Sequence, residues 1–482
     1  MNKIMRKRFG NHFIGLVFLL SVLALHGCSV GPKYARPGTM IDEANWSLLS
    51  HYFDTNDANS SGRWWERFDD DVTNELVVEA LRKNYDVAAA SAKLLQAEAE
   101  LKIAGGKLMP GFDADFGRKL LRRSSGPPGS STEDTAVVNK TRTYTAGLSI
   151  SYVLDIFGKL QHGRDAELAD LLETRAFKQG VVNSLIAAVV NSRVEISTLL
   201  KRLEIARANT ESLSQTLDIV ERRYSQGLVG PVDVRLARAN YASAKAAEPE
   251  IELALIKAAN ALDELVVRPI GSSINSVGKL KDLPDLAPVG VGMPSSLLER
   301  RPDVIAAEAK LRAQNERIGV SVANLFPDLT FSGSMGWSSN KSNMVFVDEA
   351  WIYSYLLNLA QPVFKGGQLS GQVEWEKARY QEFAADYAKT AFTALREVED
   401  EMVNQQFLQE KLEHVEVQFA EASFAEELSI DRYNRGVETI LSVLESERRR
   451  RSAENSLAVL KGRIWSGRVG LFLALGGDWI KE

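Results

Sequence analysis

The sequence predicts a membrane β-barrel joined to a long α-helical barrel, each chain supplying two tandem copies of one β-hairpin and long-helix unit. Three observations carry that prediction. The chain contains an internal duplication, two proline-free stretches of nearly seventy residues, and two hairpins whose strands alternate between apolar and small polar residues.

The N-terminus comes first. Lys3, Arg6, Lys7 and Arg8 precede an almost continuous apolar stretch from Phe13 to Leu25. That stretch has the length of a signal-peptide core and is too short to span a bilayer as a helix. Cys28 stands directly behind it and is the only cysteine in 482 residues. An intramolecular disulfide is therefore excluded, and so is a structural zinc site built from several cysteines. Leu25-His26-Gly27-Cys28 resembles a bacterial lipoprotein signal, in which cleavage before the cysteine frees its thiol for lipidation; His26 is an unusual occupant of its place. Ser29, rather than Asp, resembles the signal for release to the outer membrane. Residues 1–27 are thus expected to be a signal peptide, Cys28 the lipidation site, and 28–62 a lipid-anchored linker.

The duplication is legible as three matches in the same order. "LKIAGGKLMPGFDADFG" at 101–117 resembles "RIGVSVANLFPDLTFSG" at 317–333, aligning Pro110 with Pro327 at an offset of 217. "YVLDIFGKLQ" at 152–161 resembles "LAQPVFKGGQ" at 359–368, and "RYSQGLVGPVDV" at 223–234 resembles "RYNRGVETILSV" at 432–443, at offsets of 207 and 209. The repeats are expected at 63–268 and 301–482, with a linker at 269–300.

Each repeat reads as helix, hairpin, very long helix, break and return helix. The hairpins are expected at about 112–155 and 328–362. In the first, Tyr144, Ala146, Leu148, Ile150, Tyr152 and Leu154 share one face, and Thr145, Gly147, Ser149 and Ser151 the other. In the second, Trp351, Tyr353, Tyr355, Leu357 and Leu359 form the apolar face, its large aromatics at one end as suits a headgroup level. The long helices are expected at 158–224 and 365–433. Each would reach roughly 100 Å, about three times a membrane's hydrocarbon thickness, so they stand in water with narrow packed seams. Each stops at a glycine, Gly227 or Gly436, suited to a left-handed cap and a chain reversal.

Beyond the signal, no segment holds 18 consecutive apolar residues, so a membrane crossing requires β-strands in a closed barrel. Four strands do not close, and several chains must share one barrel. Two would give eight strands and three would give twelve. The balance of 58 basic against 63 acidic residues leaves no electrostatic footprint for nucleic acid. His51, His162 and His414 are isolated and expected at the surface, and no GxSxG, Walker-type or HExxH motif is present, so an enzyme, and with it a catalytic cofactor, is not expected.

The segment "SLLERRPDVIAAEAKLRAQNERIGVSVANLFPDLTF" at 296–331 resembles the outer-membrane efflux protein family, the TolC/OprM-like outer membrane factors. "CSVGPKYARP" at 28–37 is similar to the lipoprotein (NodT-type) branch, and "RWWERFDDDVTNELVVEALRKNYD" at 63–86, "LDIFGKL" at 154–160 and "QPVFKGGQL" at 361–369 add further matches in the right order. The resemblance implies a homotrimer with a twelve-stranded outer-membrane barrel and a helical tunnel across the periplasm. It also implies a periplasmic adaptor and an inner-membrane pump, of resistance-nodulation-division type if small compounds are exported. The duplication would then approximate six-fold symmetry for docking adaptors.

A duct needs a gate, and the helix tips at Gly227 and Gly436 are its expected place and the expected adaptor-docking points. Leu441, Glu445, Arg448 and Ser452 are spaced to share one helix face. By the resemblance, Leu441 aligns with an apolar ring position, and Glu445 and Arg448 align with an acidic residue and an arginine that close the entrance. Ser442 stands where some members have aspartate, and Asp233, its counterpart in the first repeat, is expected to bring an acidic group to the same mouth. Rival readings are the duct of a protein-secretion ABC system and, outside this class, a trimeric structural stalk.

Overall fold

The computed structural model describes residues 29–38, 53–54, 63–125, 137–275, 278, 289–290 and 294–477. The expected signal peptide, Cys28 and His51 lie outside them. The chain forms two compact units, and these cut across the repeats. One is built from Leu95–Glu173 and Glu308–Ala385 with the N-terminal residues through Arg36; the other holds Pro37–Leu94, Thr174–Ala307 and Asp386–Glu482. The repeat is a unit of sequence and not of packing.

The first repeat opens with helices α1 (Asp71–Lys83) and α2 (Tyr85–Gly106). Asp70 caps α1, its carboxylate accepting from the Thr73 N–H at 3.1 Å. Asn84 ends α1 in extended geometry and starts α2, its side-chain oxygen accepting from the Asp86 N–H at 2.8 Å. The second repeat breaks at Arg301, 217 residues on and thus at the offset that aligns Pro110 with Pro327. There Pro302 forces its predecessor out of helical geometry and occupies the first helical position of α5 (Pro302–Ala323). Arg301 is buried and donates to Asp303, Glu397 and the Ala474 carbonyl, which fixes the break against its surroundings.

One antiparallel sheet follows, in the order β1 (Gly111–Ser125), β2 (Val137–Leu154), β3 (Asp328–Ser339), β4 (Trp351–Ala360). Register aligns one face across all four strands. Phe112 lies opposite Ile150, Phe116 opposite Ala146, Ala146 opposite Trp337, Leu148 opposite Met335, and Trp337 opposite Trp351. The other face pairs Asp113 with Ser149, Ser149 with Ser334, Ser334 with Ser354 and Thr330 with Asn358. Gly147 and Gly336 lie directly opposite on that face, and a Cβ on either would press into the neighbouring backbone. The outer edges of β1 and β4 have no strand partner among the described residues. Phe116, Tyr355 and Leu359 are 80%, 76% and 65% exposed, so much of the apolar face is uncovered by the described residues.

The long helices α3 (Lys159–Ser225) and α6 (Gln368–Asn434) each run 67 residues, and the return helices α4 (Pro231–Val266) and α7 (Ile440–Ala474) run 36 and 35. Helix α6 starts three residues later than its composition suggests. Gly366 and Gly367 hold φ of +57° and +82°, a left-handed conformation that delays helix entry.

The second unit has the main core. The "RWWERF" segment forms a short 3-10 turn whose Trp64, Trp65 and Phe68 are buried. Trp64 stacks on Phe472 at 5.4 Å between centroids and Phe68 on Trp465 at 4.5 Å, joining the start of one repeat to the end of the other. His162, expected at the surface, is buried instead. In the first unit its Nδ1 lies 2.5 Å from Glu316 Oε2, and its Nε2 lies 2.9 Å from Ser29 Oγ and 3.0 Å from the Val30 carbonyl. His414 is exposed, as expected.

Candidate functional site

The tips of α3–α4 and α6–α7 form one small structure inside the second unit. Val220 of α3, Val234 and Ala237 of α4, Tyr433 of α6, and Ile440 and Val443 of α7 make a buried cluster drawing on all four helices. Both long helices end in the same motif. Gly227 and Gly436 have φ of +69° and +78°. The Gly227 N–H donates to the Tyr224 carbonyl and the Leu228 N–H to Arg223; Gly436 and Val437 repeat this on Tyr433 and Arg432. This pair of bonds is the Schellman arrangement, and its left-handed residue strains any side chain but glycine.

The two turns then start their return helices by different chemistry. Gly230 caps α4 without a side chain, and Asp233 reaches back so that its Oδ2 accepts from the Gly230 N–H at 3.0 Å. Thr439 caps α7 with its own hydroxyl, which accepts from the Ser442 N–H at 3.4 Å. The Ser442 hydroxyl donates to Glu438 at 2.8 Å, and Arg432 lies 3.4 Å from the same carboxylate. Asp233 therefore has a local capping bond.

On α7, Arg448 grips Glu445 with two parallel bonds of 2.8 Å, and Arg449 adds a third of 2.8 Å. Arg448 and then Arg449 hold the Glu445 carboxyl down to about 2. Leu441, one turn before Glu445, is 59% exposed. The three residues thus lie on an open face of α7, as the four–three spacing requires.

Several residues of this site were not singled out from sequence. Arg223 of α3 donates to the Tyr433 carbonyl, and Glu447, two residues past Glu445, is buried and accepts from Ser212 and Thr216 of α3. Leu228, Val232 and Val437 are exposed alongside Leu441. The offset of 209 pairs Leu228 with Val437 and Val232 with Leu441, a signal already present in the duplication. Among the described residues no cluster of His, Cys, Asp and Glu could hold a metal ion, and no helix is long and apolar enough to cross a membrane.

Comparison with known proteins agrees with this architecture. The model of the family described as outer membrane efflux protein matches residues 76–266 and 293–477. The pyoverdine export outer membrane protein OpmQ of Pseudomonas aeruginosa is 30% identical over 466 residues, covering 96% of this chain and 97% of that one. Nodulation protein T of Rhizobium leguminosarum is 28% identical over 477 residues, covering 97% and 94%. The solved outer-membrane channel OprN superposes with a TM-score of 0.85 at 26% identity, over 94% of this chain and all of that one. With two matched segments spanning most of its length, the chain belongs to the outer membrane efflux protein family.

Proposed function

We propose that this chain is the outer-membrane exit duct of a tripartite efflux system, passing small toxic compounds outward from an inner-membrane pump through a periplasmic adaptor. The observation that carries the reading is the four-stranded sheet, apolar on one face, polar on the other and open at both edges, in a chain with paired 67-residue helices. Open edges are untenable in lipid, so further copies must complete the wall. Three copies give twelve strands, and a homotrimer leaves room for a pore. Family membership and the OprN likeness support the outer membrane as its place, with the helices in the periplasm. Lipidation at Cys28 would add an anchor.

The gate reading assigns Leu441 to an apolar constriction and Glu445 with Arg448 to the linkages that hold it shut. Asp233 adds negative charge at the same mouth. Three-fold repetition matters here, because one exposed ion pair is weak, whereas three copies together favour a closed state that adaptor binding still overcomes. The tips at Gly227 and Gly436, flanked by equivalent exposed aliphatics, are the proposed adaptor contacts. Repeats at 63–268 and 301–482 would present six similar tips per trimer. A small-molecule cargo is supported by the relative named for pyoverdine export; the pump partner in this reading is of resistance-nodulation-division type.

The test is complementation. In a Gram-negative strain lacking its own outer-membrane efflux channel, and supplied with a matching adaptor and pump, this chain should lower accumulation of a fluorescent efflux dye. Unchanged accumulation with the protein present in the outer membrane would reject the assignment.

A further inference from the structure

The β1–β2 hairpin continues past the rest of the sheet. Pairing between β2 and β3 ends at Tyr144 with Ser339, whereas β1 and β2 stay paired to Ser125 and Val137. Along this extension the apolar face changes character. Arg118 lies opposite Tyr144, then Leu120 opposite Arg142, then Arg122 opposite Lys140, all on the face that carries Phe112, Phe116, Leu148 and Ile150. Arg118, Arg122, Lys140 and Arg142 are exposed, and among the described residues none forms an ion pair. Among the described residues of the same hairpin the carboxylates are Asp113 and Asp115, and both alternate to the opposite face.

Arg122 and Lys140 are direct cross-strand partners about 5 Å apart, Lys140 and Arg142 stand about 7 Å apart along β2, and Arg142 lies diagonal to both Arg118 and Arg122, so the four repel one another unless an anion lies between. Directly below them the same face carries an aromatic shelf. Trp337 packs 4.9 Å from Trp351 and 5.3 Å from Phe346, with Met335 and Tyr353 exposed beside it. Arg118 links the two zones, its guanidinium carbon lying 5.8 Å from the Tyr144 ring. A cationic rim above an aromatic and aliphatic shelf fits a lipid with several phosphates on its head and acyl chains beneath.

We propose that Arg118, Arg122, Lys140 and Arg142 form a binding surface for a phosphorylated, multiply acylated glycolipid of the outer leaflet. This rests on reading the sheet as part of an outer-membrane barrel wall. The four cationic side chains take the phosphates by charge, and the Trp337–Trp351 shelf takes the first carbons of the acyl chains. Position at the turn end of the hairpin, away from the helices, selects the leaflet that faces outward.

The experiment uses the full-length protein purified in mild detergent, with bound glycolipid counted by native mass spectrometry after mixing with purified lipopolysaccharide. Parallel arms use enzymatically dephosphorylated lipopolysaccharide and phosphatidylglycerol. Wild type should retain the phosphorylated glycolipid over both. The combined Arg118→Gln, Arg122→Gln, Lys140→Gln and Arg142→Gln variant should lose roughly a hundredfold or more in apparent affinity. A second variant, R118K, R122K and R142K with Lys140 kept, should retain most of it. Equal retention of dephosphorylated glycolipid or of phosphatidylglycerol by wild type would overturn the proposal, as would undiminished binding by the glutamine variant. Planar-bilayer conductance separates this from the underlying reading. Normal conductance with unchanged glycolipid binding in the variant removes the patch alone, and a wild type that never conducts removes the barrel wall with it.

Discussion

Arg223 of the first long helix donates from Nη1 to the backbone carbonyl of Tyr433 in the second at 2.8 Å, and its guanidinium carbon lies 4.5 Å over the Tyr433 ring. One side chain thus adds a second donor to a carbonyl in the last turn of α6, which also accepts from Gly436, and covers the aromatic that anchors the tip cluster. The counterpart in the second repeat, Arg432, turns to its own Glu438 instead. The duplicated tips are therefore joined by an unequal contact.

Arg223→Ala removes a charged hydrogen bond and a cation–π contact, together about 1–3 kcal/mol. In planar bilayers the variant should open more often than wild type. Hydrogen exchange at Arg432 to Val437 should rise in parallel. Unaltered exchange there would show that the contact does not hold the tips.

Glu445 is shared by Arg448 and Arg449, so the single variants should differ. Glu445→Ala removes all three bonds, whereas Arg448→Ala leaves Arg449 in place. The larger rise in conductance is expected for Glu445→Ala. Its carboxyl titrates at about 2 in the folded chain against an ordinary 4.5. The pair's contribution is present above the ordinary value and is lost only as pH falls through about 2. Closure by this pair should consequently be flat between about pH 5 and pH 9; a transition near neutrality would assign the gate to another group.

Glu447 behaves oppositely. It is buried, and burial pushes its carboxyl up, with Thr216 and Ser212 opposing that shift. Its Oε1 accepts from their hydroxyls at 3.0 and 3.2 Å, whereas Oε2 has no hydrogen-bond partner. Glu426, Arg450 and Arg451 are the other charges that bear on it. A raised carboxyl stabilises the fold below its ordinary value of 4.5, and that contribution is lost as pH rises through the folded value. Hydrogen exchange of α7 should accelerate with pH beyond the intrinsic rate in wild type, and Glu447→Gln should abolish that excess. An excess retained in the glutamine variant would sink this assignment.

His162 holds the segment that follows Cys28. Its hydrogen bond to Glu316 raises its affinity for a proton, with burial working against this. The clamp on Ser29 and Val30 is strongest below the ordinary histidine value of 6.5 and is lost as pH rises through the higher folded value. His162→Ala should loosen residues 29–31 by about 1–3 kcal/mol. The readout is hydrogen exchange at Val30 and Gly31, and the variant should also lose the pH dependence seen in wild type.

Much of this architecture was legible because its signals are local and repeated. Strand alternation, proline-free length and the tip glycines each report on backbone geometry, and the duplication let one repeat check the other. The delayed start of α6 was not legible, since Gly366 and Gly367 are compatible with a helix until φ is known. His162 was misplaced for a different reason. Its partners Ser29 and Glu316 lie 133 and 154 residues away, and no spacing rule links them. Arg223 was invisible on the same ground, because a carbonyl acceptor on another helix has no side-chain signature. Asp233 was read for charge alone, although the G-x-x-D pattern at 230–233 also carries a capping signal.

The gated duct is tested most directly by single-channel conductance of the purified full-length protein in planar bilayers, beside the Glu445→Ala, Arg448→Ala double variant. An inserted oligomer of three chains is expected, with a small wild-type conductance and a several-fold larger one in the variant. Absence of conductance from both proteins, with each migrating as a single chain on an unheated gel, would contradict it.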